Sequence, residues 1–163
     1  MNDFSEDKLV EQTAIKLFGE LVPAGAGAEA GPTFVNAYGE EGNAVLGREN
    51  QGEVVLTKFL RPALERLNPD VPPTGITQAI EIITRDRSTM SMVNANYEVW
   101  QLLRDGVKVE VENEEHATET VTVRVLDFEN PAANHFTLVS QLWVTGELHQ
   151  RRPDLVWYVN GLP

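Results

Sequence analysis

The chain has 163 residues, of which 42% are hydrophobic and 23% charged, and its formal net charge at pH 7 is −12. This length and composition suit one globular domain and exclude a disordered chain. The absence of cysteine excludes disulfides and cysteine-based metal sites and fits a reducing cytoplasm. No stretch is apolar enough to cross a membrane. The negative charge argues against independent DNA binding, which normally needs a basic face. A simpler explanation of the charge is that it keeps the domain soluble.

The first two thirds of the chain are predicted to be mainly helical, because apolar residues recur there at helical spacing. Pro62 is expected to kink or restart the second helix. Thr74 is expected to cap the third, and Asp105-Gly106 to end the fourth. A small-residue loop is predicted at 22–31 and a short strand at 33–38. The predicted helices are Ser5–Leu17, Glu49–Leu67, Thr74–Arg85 and Asn94–Arg104. In the third of them, Ile76, Ile80 and Ile83 are expected to face inward.

The hydrophobic period changes to two from Val107 onward, which predicts strands. The segments 107–111 and 121–125 should form a hairpin around a polar turn. A third long strand is predicted with Phe136, Leu138, Leu142 and Val144 along one face. The segment 155–159 is apolar throughout, as expected for a central strand covered on both sides. Helices followed by a mostly antiparallel sheet favour an α/β or α+β class.

Asp154 is the first candidate for chemistry, because it directly precedes the apolar strand 155–159. A carboxylate at the edge of a central strand is well placed to hold Mg²⁺, a cation that prefers oxygen ligands. Such an ion activates water and stabilises charge on a phosphate. The simpler interpretation is a turn residue that follows Pro153.

Glu11 and the pair Arg151-Arg152 are the other candidates. Glu11 lies among apolar positions of the first predicted helix. It is either an auxiliary metal ligand or part of a solvated helix face. The two arginines would contact nucleic-acid phosphate or pair with the surplus acids. The acidic turn 127–134 is explained more simply by Asn-Pro turn chemistry. His116 falls in the predicted hairpin turn and should be exposed, and His135 and His149 are expected to have no partner. Three scattered histidines predict no zinc site.

Several segments in the right order resemble the N-terminal domain of the type I restriction enzyme R subunit, from about Glu49 to the C-terminus. The most specific piece is Arg-Arg-Pro-Asp-Leu-Val followed by Val-Asn-Gly-Leu-Pro. The resembling segments are 53–56, 64–69, 96–103, 105–109, 125–128 with Asn130-Pro131 and Asn134, 151–156 and 159–163.

The resemblance implies a PD-(D/E)xK nuclease-like α/β fold, with a mixed sheet flanked by helices and Asp154 as the catalytic Mg²⁺ ligand. The next strand would supply an acid and, two residues later, a lysine. Nine residues follow Asp154, and none of them is acidic or lysine. We therefore expect residues 1–163 to be a single, C-terminally incomplete domain that is inactive alone.

The whole subunit would cleave DNA after ATP-dependent translocation, with methyltransferase and specificity subunits as partners and ATP bound outside this segment. The alternative is a non-catalytic docking domain that binds the methyltransferase core or another protein. DNA should bind only weakly to this chain by itself.

Overall fold

The computed structural model describes residues 11–21, 33–113, 116–146 and 149–163. Among these residues, no helix has the length and apolar content needed to span a bilayer. The elements in chain order are α1 (Gln12–Leu21), β1 (Thr33–Asn36), α2 (Glu40–Leu46), α3 (Thr57–Leu67), α4 (Pro73–Thr84), α5 (Met92–Asp105), β2 (Val107–Glu112), β3 (Thr118–Val123), β4 (Phe136–Ser140), β5 (Val144–Thr145), β6 (Gln150–Arg151) and β7 (Leu155–Val159).

The main sheet is mixed and has the order β1-β4-β7. The first pair is parallel and the second antiparallel. This sheet with its flanking helices confirms the α/β class and agrees with a PD-(D/E)xK nuclease-like fold. The prediction that 155–159 is a central strand is wrong for the described part of the chain, where β4 is central and β7 lies at an edge. Thr137–Ser140 of β4 is accordingly buried, whereas β7 is mostly half-buried.

The predicted hairpin is confirmed as β2 and β3, which pair antiparallel from Val107↔Val123 to Glu112↔Thr118. The inward valines of β2 pack under α4, as the period-two pattern required. Gly75 of α4 permits this close approach, since a Cβ there would lie 2.8 Å from a methyl group of Val111. Ile76, Ile80 and Ile83 face this core as predicted.

A second core lies beneath the main sheet, and α3 connects the two cores. Leu60 and Leu64 of α3 belong to the hairpin core, whereas Leu56, just before the helix, packs with Tyr158 and Val139 of the main sheet. Phe59 of α3 also packs against the main-sheet core, so this helix contacts both cores and holds the hairpin and the sheet in a fixed relation.

Several predicted helix boundaries are wrong. The second predicted helix begins only at Thr57, because residues 48–53 form a turn in which the Arg48 guanidinium donates to the carbonyls of Gln51 and Glu53. The helix then continues through Pro62 without a restart. Pro72, not Thr74, is the N-cap of α4.

The remaining differences concern α1, α2, α5 and the long third strand. Helix α1 runs on to Leu21, and the predicted start at Ser5 and the loop 22–31 lie outside the described residues. Helix α5 begins at Met92 behind the cap Ser91 and ends before Gly106 as predicted. Helix α2 was not predicted. The strand predicted through 136–144 is interrupted after Ser140.

A tight turn at Asn160-Gly161 follows β7 and lies beneath the start of α3. Both residues have positive φ, 53° and 80°, and Val159 and Leu162 exchange backbone hydrogen bonds of 2.8 and 2.9 Å across the turn. Two positive φ values are typical of a hairpin turn and explain the Asn-Gly sequence. The Gly161 carbonyl also accepts from the Leu56 N–H at 2.8 Å.

We predict that Gly161→Ala lowers the free energy of unfolding by about 3 kcal/mol, because positive φ and steric overlap act together. The new Cβ would meet the Leu56 carbonyl oxygen and lie 2.9 Å from the Leu60 nitrogen. Urea denaturation of the chain measures the loss. Gly19→Ala is the matched control, since nothing lies within 4 Å of a Cβ there. Equal stability of Gly161→Ala and wild type would contradict this account.

We also predict that the fold loses stability as pH falls through about 6.5, the ordinary pKa of histidine. Burial, and secondarily the Arg66 charge, lowers the pKa of His135 in the folded chain. The unfolded chain therefore takes up the proton first, so that the stabilisation present above this pH is lost below it. Denaturation midpoints of His135→Gln should fall less between pH 7.5 and 5.5 than those of wild type. Equal falls of the midpoint in His135→Gln and wild type would refute the assignment of this pH dependence to His135.

Candidate functional site

Asp154 stands immediately before β7, at the end of the β4–β7 ladder. Its carbonyl oxygen accepts a hydrogen bond of 2.9 Å from the Gln141 N–H, one step beyond the pair Ser140↔Leu155. Its side chain is exposed rather than enclosed. The backbone of Asp154 is thus fixed by the sheet, and its carboxylate remains accessible.

Glu11 comes from the opposite end of the sequence and is half-buried just before α1. The Gln141 side-chain nitrogen donates to both of its carboxylate oxygens, at 2.9 and 3.0 Å. The same nitrogen lies 3.5 Å from Oδ1 of Asp154. The structure therefore brings together two residues that were selected separately from the sequence.

Gln141 is the residue of this group that sequence reasoning missed. It has a φ of 56° and lies where β4 stops. The sequence signal was weak: a polar residue inside the apolar run Leu138–Val144, which was predicted as one strand. A left-handed conformation is uncommon for a residue with a side chain, and such residues cluster at functional sites.

The donor set of this group suits a hard cation. Carboxylate and amide oxygens are ligands of Mg²⁺, which commonly takes one or two carboxylates and completes its shell with water. In the described residues, no group of three or more His, Asp or Glu side chains forms a ready metal cluster. Glu11 and Asp154 therefore fit part of a magnesium shell.

Arg151 and Arg152 differ from the other arginines of the chain. Of nine arginines, the other seven donate side-chain hydrogen bonds to described residues. Arg151 and Arg152 form no such bond or ion pair within the described part of the chain, and both are exposed. The Arg152 guanidinium lies over the rings of Tyr38 and Trp143, 5.4 and 5.1 Å from their centroids. The predicted alternative, pairing with surplus acids, is not seen among the described residues.

The Asp127 carboxylate and the Asn134 amide in the acidic turn 127–134 form hydrogen bonds within the turn itself. The Asp127 carboxylate accepts from the N–H groups of Asn130 and Glu129, and these bonds, the Asn130 bond foremost, together with Arg124, lower its pKa. Asn134 closes the turn by donating to the Asp127 and Pro131 carbonyls. The prediction of simple turn chemistry is confirmed here.

The histidines do not converge on one site. His116 is exposed in the hairpin turn, as predicted, and contacts Glu112. His135 was expected to have no partner, which is wrong: its ring lies between the hydroxyls of Thr33 and Thr137 and stacks on Phe59.

Residues 31–163 match the family model described as the N terminus of type I restriction enzyme R protein. The chain belongs to this family. It is 34% identical over 131 residues to the endonuclease subunit of the type I restriction enzyme HindI from Haemophilus influenzae, with 77% of this chain and 12% of that protein covered. A protein of Methanocaldococcus jannaschii, provisionally named as the MjaIXP endonuclease subunit, is 28% identical over 163 residues, with 98% and 14% covered. The chain thus spans about one eighth of the length of these R-subunit relatives.

Proposed function

We propose that this chain is part of the DNA-cleaving domain of a type I restriction enzyme R subunit, with Asp154 as a catalytic residue and metal ligand. The observation that carries the proposal is the convergence of Asp154 and Glu11 on the Gln141 amide, at 3.5 and 2.9 Å. Membership of the R-subunit family gives this pair of carboxylates a chemical context.

In this proposal the two carboxylates hold Mg²⁺ together with water molecules. The bound ion would lower the pKa of a water and offset the charge that develops on the phosphate. Asp154 stays fixed because its backbone belongs to the ladder with β4, and Glu11 approaches from α1. Arg151 and Arg152, whose guanidinium groups are not engaged by described acids, face the phosphates of the bound strand.

The turn at Asn160-Gly161 suggests where the expected acid and lysine would join this site. In a longer chain, residues after Leu162 would continue the hairpin antiparallel to β7. Asp154 lies five residues before Val159, so the facing position would lie five residues beyond Leu162. An acid and a lysine near this level would come close to Asp154, because directly opposite side chains share a face.

The remaining parts of the activity belong to the whole subunit. We propose that ATP-driven translocase domains outside this segment bring DNA to the site, and that methyltransferase and specificity subunits complete the complex. This division of roles agrees with the net charge of −12, because a chain with so few basic groups can neutralise few DNA phosphates by itself.

A docking function is the second candidate, and one observation favours it. Helix α5 exposes four large apolar side chains, and contiguous exposed apolar surface often marks a protein contact. The Arg104 guanidinium lies 4.0 Å from the ring centroid of Trp100, one of these four residues. The four residues and their exposed fractions are Met92 82%, Val93 77%, Tyr97 57% and Trp100 47%.

We predict that Asp154→Asn, placed in the full R subunit of an assembled complex, abolishes DNA cleavage but retains ATP-dependent translocation. The isosteric amide loses the charge that holds the cation, and a loss of roughly 100-fold or more is expected. Plasmid cleavage and triplex displacement measure the two activities. Asp70→Asn, an exposed carboxylate in the loop after α3, is the matched control. Normal cutting by Asp154→Asn would remove the catalytic assignment and leave the docking function in its place.

We predict that Arg151→Ala and Arg152→Ala each weaken the already weak binding of this chain to duplex DNA. Each should reduce the slope of log affinity against log salt by about 0.9, the value for one phosphate contact. Fluorescence anisotropy between 20 and 200 mM salt gives the slopes. Arg85→Ala is the control, because that side chain already pairs with Glu98. Slopes that are unchanged in both variants would contradict a phosphate contact.

A further inference from the structure

Gln141 adopts a conformation that its position in the chain does not explain. Three described residues other than glycine have positive φ: His116, Gln141 and Asn160. His116 and Asn160 lie in hairpin turns, where positive φ is expected. Gln141 instead interrupts a buried strand one residue after Ser140. Such strain persists only where surrounding contacts impose it.

Those contacts join Gln141 to both carboxylates of the proposed site. Its backbone N–H continues the sheet ladder by donating to the Asp154 carbonyl at 2.9 Å. Its side-chain nitrogen reaches both oxygens of Glu11 and lies near the Asp154 carboxylate. One residue thus ties the strand that carries Asp154 to the segment that carries Glu11.

Helix α1 depends on such a tie because little of it is buried. Every residue from Gln12 to Glu20 is exposed or half-buried. Its ring contact with the main sheet is that of Phe18 with Trp157, with centroids 5.5 Å apart. The Gln141 amide contacts Glu11 at the opposite end of α1, and a contact far from the Phe18 ring restricts the pivoting of this short helix.

The chemistry of an amide suits this task. Glu11 and Asp154 repel each other when both are ionised, and the neutral donor groups of Gln141 hold them close without removing their charge. A lysine here would cancel one of the two negative charges and compete with a cation. A glutamate would add a third negative charge. An amide leaves the full charge of both carboxylates available.

We propose that Gln141 is a positioning residue that holds Glu11 beside Asp154 before a cation binds. The role of this arrangement in metal binding rests on the proposed function, whereas the positioning itself rests on the geometry of the chain. Arranging ligands in advance removes part of the cost of bringing them together when the ion arrives.

Two substitutions separate the side-chain amide from the backbone strain. Gln141→Gly adopts positive φ freely and keeps the backbone N–H, but it lacks the amide. Gln141→Asn also tolerates positive φ and retains an amide that is one methylene shorter. His116→Gly is the matched control for relief of left-handed strain away from Glu11 and Asp154.

The position of α1 is measured by double electron–electron resonance between nitroxides on Lys16→Cys and Glu65→Cys, since the chain has no cysteine of its own. Without divalent cations we expect a narrow distance distribution in the otherwise unchanged chain and in His116→Gly. The distance distribution should be broad in Gln141→Gly and of intermediate width in Gln141→Asn. A distribution equally narrow in Gln141→Gly would overturn the inference. If Gln141→Gly fails to fold, Gln141→Asn decides the outcome in the same way.

Binding of Mn²⁺, followed by the resonance of the free ion in unlabelled chain, tests whether the positioning serves the site. We expect about tenfold weaker binding in Gln141→Gly and loss of binding in Asp154→Asn. Equal affinity in Gln141→Gly and wild type would overturn the link to the cation. Absence of Mn²⁺ binding in wild type, together with a broadened distance distribution in Gln141→Gly, would support the positioning and count against the proposed metal function.

Discussion

The Asn160-Gly161 turn is the constraint on which the rest of this fold depends. The buried Asn160 amide donates to the Val125 carbonyl and to Asn134, while its oxygen accepts from the His135 N–H. Gly161 allows the backbone to pass directly beneath the start of α3. Buried polar groups must be paired, so these bonds connect the hairpin side of the molecule to the main sheet with little tolerance for displacement.

That constraint extends to the candidate site through β7. The turn fixes the end of β7 at Val159, the ladder with β4 fixes its register, and the register brings Asp154 level with Gln141. The site therefore obtains its rigid half from sheet hydrogen bonds. Its other half, Glu11, lies just before the lightly buried helix α1 and is held by side-chain contacts. In the proposed metal site, Asp154 would be the rigid ligand and Glu11 the more adjustable one.

Charge is distributed in a way that supports a role within a larger assembly. The acids outnumber the bases by 25 to 13, and seven of the nine arginines are engaged with described residues. The two that are not, Arg151 and Arg152, precede Pro153-Asp154, and the Arg152 guanidinium lies over aromatic rings. Stacking of this kind leaves the guanidinium edge available for hydrogen bonds to an anion. Local attraction for phosphate can thus exist in a chain whose overall field repels DNA.

The sequence by itself determined the elements that follow from local pattern: the 107–123 hairpin from its period of two and α4 from its isoleucines. It also made Asp154 a candidate, from a motif that is contiguous in the chain. Only the tertiary structure decided that 48–53 is a turn held by Arg48, that β4 stops at Gln141, and that Glu11 meets Asp154. The turn depends on hydrogen bonds from the Arg48 side chain to nearby carbonyls, and the other two features depend on hydrogen bonds between residues far apart in sequence. Bonds of both kinds override local propensity without leaving a periodic trace.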